Sequence, residues 1–208
     1  GVYSLAFSSD GSVLASGGKD GRVSFWEAAT GTLQTTVSNS AGPIYGISFS
    51  PIDRSVATAG WHPTFADGDL QIVHRDERNA PLRFEHAGQV TCLAYSPDGK
   101  SLASSGPDQL ISLWDVATGR VSAKFAGHSS AIWSLAWAPD GQRLAPAGWD
   151  GAVRVWDMTR RQDADVWPTT ADVPPTNPTT DGSPPNGTST PYMIRRITIP
   201  RHMRRNSN

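Results

Sequence analysis

Short apolar runs recur along the first three quarters of the chain, each cut off by polar turn residues. Leu5-Ala6-Phe7 and Leu14-Ala15 flank Asp10-Gly11, and the run Val153 to Trp156 follows Asp150-Gly151. Within that last run Val153 and Val155 fall on one face and Arg154 and Trp156 on the other, the period of a strand. Asp-Gly between apolar runs predicts a tight hairpin, because glycine accepts the positive φ that such turns need. Asp10-Gly11, Asp98-Gly99 and Asp140-Gly141 join a first predicted strand to a second. Asp20-Gly21 and Asp150-Gly151 join a second to a third. A weaker fourth strand is expected at Leu33 to Val37, Pro81 to Phe84 and Val121 to Phe125. The expected fold is therefore all-β, built of four-stranded antiparallel units.

The units repeat. Segments starting at Val2, Val90 and Ile132 align with one another, and a degenerate copy starts at Ile44. Their closing positions, Trp26, Val73, Trp114 and Trp156, lie 47, 41 and 42 residues apart. Such a period is the mark of a propeller array. The repeats divide the chain at about 1–38, 39–85, 86–126 and 127–162, leaving residues 163–191 and 192–208 outside them.

Gly127-His128 followed by Trp156-Asp157, and His86 followed by Trp114-Asp115, carry a family resemblance. Across residues 1–157 the chain resembles bacterial-type WD40-repeat proteins. The resemblance implies β-propeller blades, each locked by a hydrogen-bonded His, Ser or Thr, Asp and Trp. Blade 3 matches with His86, Ser104, Asp108 and Trp114. Blade 1 supplies Ser16, Asp20 and Trp26; blade 4 supplies His128, Asp150 and Trp156, with Pro146 in place of the Ser. Blade 2 keeps Thr58 and Asp67, with Ser40 and Val73 at the His and Trp positions. Recurrence of one trio from repeat to repeat marks a scaffold, since a nucleophile needs a unique, activated setting.

The resemblance also places a partner-binding top face at two positions per blade. The first is Tyr3, Tyr45, Thr91 and Trp133. The second is Lys19, Pro107 and Trp149, with Ala66 the blade 2 candidate. Rigid aromatic side chains give large contact area at little entropic cost. Blade 2 carries an insertion after Gly60 that holds Trp61 and Phe65. Trp61 is expected either on a binding loop or in the space left by the missing blade Trp. Pro146 stands in a predicted central strand, where it removes a ladder donor, so blade 4 is expected to be weakened or bulged. Four blades without a closing strand suggest about half of a larger propeller, with oligomer-assisted closure as the second option.

Charge and composition narrow the functions. The net charge of −1 gives no global field toward nucleic acid or an anionic membrane. It is unevenly spread: −2 over residues 1–161, −4 over 162–191 and +5 over 192–208. Seven prolines among residues 168–191 describe a Pro/Thr-rich disordered linker. Asn186-Gly187-Thr188 inside it matches a glycosylation sequon. The basic end, with Arg195, Arg196, Arg201, Arg204 and Arg205, either stays solvated or pairs its Tyr192 to Ile199 segment with a blade edge. The lone Cys92 excludes an internal disulfide and fits a reducing compartment, so a cytoplasmic location is expected. No apolar run reaches the roughly 20 residues of a membrane helix.

The expected function is a non-catalytic interaction scaffold whose top face takes protein or peptide partners, with no cofactor and no metal. Neither a membrane nor nucleic acid is expected as a partner. The alternative is a regulatory or substrate-docking part of a larger enzyme with its catalytic domain upstream.

Overall fold

The computed structural model describes residues 1–38, 42–61, 68–75, 81–86 and 88–159, all within the compact unit Gly1–Asp172. Phe65, the linker and the basic end lie outside the described residues, as do Ser40, Ala66 and Asp67. The described chain is all β. Blade 1 comprises β1 (Val2–Phe7), β2 (Val13–Gly18), β3 (Arg22–Glu27) and β4 (Leu33–Ser38). Blade 2 comprises β5 (Ile44–Phe49), β6 (Ser55–Trp61), β7 (Gly68–His74) and β8 (Leu82–His86). Blade 3 comprises β9 (Cys92–Tyr95), β10 (Ser101–Ser105), β11 (Leu110–Asp115) and β12 (Arg120–Ala126). Blade 4 comprises β13 (Ile132–Trp137), β14 (Arg143–Gly148) and β15 (Trp156–Asp157). Every blade is an antiparallel meander in sequence order.

The hairpins form where Asp-Gly predicts them. At the first turn Asp10 Oδ1 accepts from the Ser12 amide at 3.0 Å and from the Ser8 and Ser12 hydroxyls at 2.6 and 2.8 Å. Gly11 takes φ 69°. These donors hold the Asp10 carboxyl down at about 2. Ser96, Asp98 and Lys100 repeat the arrangement in blade 3.

The hydrophobic cores lie between blades. At each of the three junctions the leading face of one blade packs on the trailing face of the next. Ala15, Val23, Phe25 and Val37 of blade 1 meet Ile44, Ile47, Val56 and Val73 of blade 2. Ala57, Leu70, Ile72 and Phe84 of blade 2 meet Val90, Leu93, Tyr95, Leu102 and Trp114 of blade 3. Ala103, Ile111 and Leu113 of blade 3 meet Ile132, Leu135, Leu144 and Trp156 of blade 4. Serine hydroxyls cross two of the junctions: Ser4 Oγ accepts from the Ile47 amide at 3.0 Å, and Ser48 Oγ from the Tyr95 amide at 3.3 Å.

Of the set that the resemblance implies, the serine–tryptophan bond forms in blades 1 and 3, whereas Asp20 and Asp108 are exposed and accept the Arg22 and Leu110 amides. Trp26 Nε1 donates to Ser16 Oγ at 2.8 Å, and Trp114 Nε1 to Ser104 Oγ at 2.7 Å. In blade 4, Pro146 removes that acceptor, and the buried Trp156 Nε1 meets no hydrogen-bond partner among the described residues. The proline stays inside β14 and breaks its neighbour. Arg154 N–H donates to Pro146 O at 3.2 Å, but Pro146 has no N–H to return, so the pair that antiparallel strands normally close twice is closed once. Beyond a bridge at Val153, the third strand regains strand pairing only at Trp156–Asp157. In the other blades it runs for six or seven residues.

Candidate functional site: an aromatic rim

The residues expected on the top face are placed by two devices that recur blade by blade. The first is a β-bulge. In blade 1 Val2 pairs with Gly18 and Ser4 with Gly17, which leaves Tyr3 as the extra residue. Tyr45 is skipped in the same way between Ile44 and Gly46, and Trp133 between Ile132 and Ser134. A bulge re-aims the side chain of its extra residue and ends regular pairing. The sequence Val-Tyr-Ser-Leu alternates like an ordinary strand, so no local pattern announces the bulge.

The second device is a glycine pressed against the start of the blade. A Cβ on Gly18, Gly60 or Gly106 would lie 2.0, 2.4 or 2.2 Å from the carbonyl oxygen of Gly1, Pro43 or Gln89. Only glycine fits at those distances. The residue after each glycine turns outward: Lys19, Trp61 and Pro107 are all exposed, as is Trp149 after Gly148 in blade 4. In blade 2 the residue after the glycine is Trp61, which stands at the place of Lys19, Pro107 and Trp149, while Ala66 lies outside the described residues. The Gly-X step, aligned across blades, carries that signal. Trp61 pairs with Gly68 at one end of β6, while Val73 pairs with Val56 toward the other. Five residues of strand separate the ends, about 16 Å. Trp61 therefore does not fill the blade-tryptophan position, and Val73 is itself buried in the core between blades 1 and 2.

The aromatics meet in pairs. Tyr3 and Tyr45 stack across the first junction, centroids 5.6 Å apart and planes 12° apart. Trp133 and Trp149 meet within blade 4 at 5.7 Å and 55°. Trp149 is 76% exposed and Trp133 47%, so contact with each other leaves most of Trp149 and about half of Trp133 open to water.

Thr91 departs from the expected role. It is buried, and its hydroxyl donates to Ile132 O at 2.8 Å. It ties blade 3 to blade 4 and offers no surface. Beside it, burial pushes the Cys92 thiol up to about 12, which keeps it protonated and a poor nucleophile.

Below Trp149 the chain is anchored by Asp150. Its carboxylate accepts from the Ser129 and Ala152 amides, both at 3.1 Å, and from Arg154 Nη1 at 2.8 Å. His128 Nδ1 lies 3.0 Å from both oxygens and 2.9 Å from the same guanidinium nitrogen. Burial opposes ionisation, but the Ser129 amide, His128, the Ala152 amide and Arg154 outweigh it and hold the carboxyl well below the usual range. Asp20 and Asp108, the equivalent residues, are exposed, and each accepts the amide two residues on, at 3.3 Å. His86 packs its ring on Trp114, centroids 5.8 Å apart.

Arg154 was not among the expected site residues, nor was the polar cluster of blade 2. There the buried Gln71 donates to Asp69, which also accepts from Arg83 at 3.3 Å. Arg154 and Gln71 take the same place in their third strands, a position that follows no turn or cap rule. Among the described residues, no group of three or more His, Cys, Asp or Glu side chains is placed to hold a metal.

The fold and these recurring locks define a class of repeat protein. The sequence model of the WD40 family (WD domain, G-beta repeat) matches residues 1–27, 80–115 and 119–157. The chain carries WD40 repeats, arranged as the blades of an open propeller. It is 32% identical over 132 residues to the periodic tryptophan protein 2 homolog of Dictyostelium discoideum, covering 62% of this chain and 14% of that protein. It is 30% identical to the APC/C activator protein CDC20 of Saccharomyces cerevisiae, covering 62% and 21%. It is also 30% identical to the guanine nucleotide-binding protein subunit beta of Arabidopsis thaliana, covering 61% and 34%. The chain thus spans about a third or less of each of these relatives.

Proposed function

We propose that this chain is a non-catalytic scaffold that binds a protein or peptide partner on its aromatic rim. The observation that supports this reading best is the exposed Trp133–Trp149 pair, held on a bulge and on the Asp150 anchor. Exposed tryptophans fixed by the scaffold lose little freedom on binding and are frequent hot spots. The relatives support the same role. One is by its name an activator of another assembly, and another is a subunit of a guanine nucleotide-binding protein.

The test compares the parent with a Trp133→Ala/Trp149→Ala double variant in pull-downs from the source cell, with melting temperatures alongside. Partner recovery is expected to fall at least tenfold at an unchanged melting temperature, as loss of a hot spot implies. Equal recovery overturns the assignment of this rim.

A further inference from the structure

The two aromatic pairs of the rim differ in charge and in the ring surface they leave open. Tyr3 and Tyr45 lie nearly parallel, planes 12° apart, so each covers a face of the other. Lys19 stands at the second rim position of blade 1. The planes of Trp133 and Trp149 are instead tilted by 55°, and Trp149 keeps about three quarters of its surface in water. Three backbone segments meet at that pair. The Ile132 amide donates to Gly106 O at 3.2 Å, and the Trp149 amide to Ala131 O at 2.8 Å. Segments 106–110, 127–133 and 148–154 carry a single Lys or Arg between them, Arg154, and its guanidinium is held by Asp150. The carboxylate they leave open is Asp108, which is exposed and, among the described residues, accepts only the Leu110 amide. Its charge adds to the burial that raises the Cys92 thiol, and Cys92 Sγ lies 3.6 Å from Ile132 O. Asp108 therefore stands beside the start of β13, where the bulge carries Trp133.

We propose that the group taken here from the partner is an arginine side chain, stacked on the Trp133–Trp149 pair and bonded to Asp108, an inference that rests on the rim being the partner surface. The face of an indole is the negative end of its quadrupole and attracts a cation. A planar guanidinium can cover that face while its edge N–H groups stay free to bond a carboxylate, which a compact ammonium does less well. The local charge has the matching sign. Asp150 and Arg154 offset each other, and Asp108 leaves this part of the rim negative. Pro107, exposed next to Asp108, offers apolar surface to the methylenes of the incoming side chain. The tyrosine pair has closed ring faces and Lys19 in its own blade, so it is not expected to take the same group.

Tryptophan fluorescence and calorimetric titration of the 208-residue chain test this with short Gly/Ser-rich peptides that differ at one central position: arginine, citrulline or lysine. Citrulline keeps the shape of arginine without its charge. The arginine peptide is expected to bind with a Kd of about 1 mM or tighter, about fivefold better than the citrulline peptide, with the lysine peptide between them. Trp149→Ala is expected to abolish saturable binding. Asp108→Asn is expected to weaken arginine binding severalfold and to leave citrulline binding as it was. Both side chains are exposed, so each variant is expected to keep the parent melting temperature. Equal affinity for the arginine peptide and either of the others overturns the proposal, as does no saturable arginine binding up to about 10 mM. An Asp108→Asn variant that keeps the parent's full preference for arginine overturns it too. Loss of the partner from the Trp133→Ala/Trp149→Ala variant without any arginine preference leaves the rim a binding surface and removes only this ligand.

Discussion

Pro146 takes two things from blade 4 at once, a ladder donor and the hydroxyl that its counterparts Ser16 and Ser104 offer to a blade tryptophan. The cost appears as an unpartnered indole N–H at Trp156 and a bond not returned to Arg154. Pro146→Ser is therefore expected to stabilise the protein by about 1–3 kcal/mol, the worth of satisfying one buried donor and one backbone bond. Urea unfolding checks this, and an unchanged or lower midpoint contradicts it. Asp150 gives a second prediction. Its carboxyl is depressed in the folded state, so its stabilisation is present above the unfolded value near 4 and is lost as pH falls below it. The gap between parent and Asp150→Asn is expected to be on the order of 2 kcal/mol at pH 7 and to shrink toward pH 2. A gap that is constant with pH rules out the carboxylate as its source. At this scale the sequence showed the serine–tryptophan locks and the missing serine plainly, because they recur at fixed offsets. It did not show Arg154, Asp69 or Gln71, whose partnerships depend on which neighbours a particular blade happens to bring close.

The elements were legible wherever chemistry forces geometry. Asp-Gly turns, apolar alternation and the repeat located the first three strands of blades 1 to 3 and the first two of blade 4, whose expected third strand, Val153 to Trp156, pairs as a strand only at Trp156–Asp157. The Tyr3, Tyr45 and Trp133 bulges escaped because their runs alternate as a regular strand does. The Asp108-Gln109 turn departs from its Asp-Gly counterparts, and Gln109 holds a left-handed φ of 67° that glycine would take without strain. The shortening of the third strand to Trp156–Asp157 follows from the unreturned bond at Pro146. Its amides are accordingly expected to be the least protected of the third strands. In hydrogen exchange, Arg154 and Val155 should exchange at least tenfold faster than Ser112 and Leu113 of β11. Equal protection would mean that the proline is accommodated without cost.

Across the whole molecule, the count of blades and their order could be read from a period of 41 to 47 residues, since each blade is one repeat. Which rim residues face water could not, because that depends on packing between blades. Thr91 has the rim position and even a rim-like residue type, yet its hydroxyl spans to Ile132 O. Trp61, expected on a binding loop or in the space of the missing blade Trp, shares a position with Lys19, Pro107 and Trp149. Stability of such an array is close to a sum of blade terms and junction terms.

The one-way order of the junctions has a consequence for how the chain comes to be folded. Each described core joins a blade only to the one made just before it. A chain emerging from the ribosome can therefore settle blade by blade, each new repeat covering the apolar face left open by the last. No contact among the three described cores has to wait for a distant segment, so long loop closures are avoided during folding. The face left uncovered at any moment is that of the newest blade, and its sticky interval lasts only as long as translation takes to deliver about forty more residues.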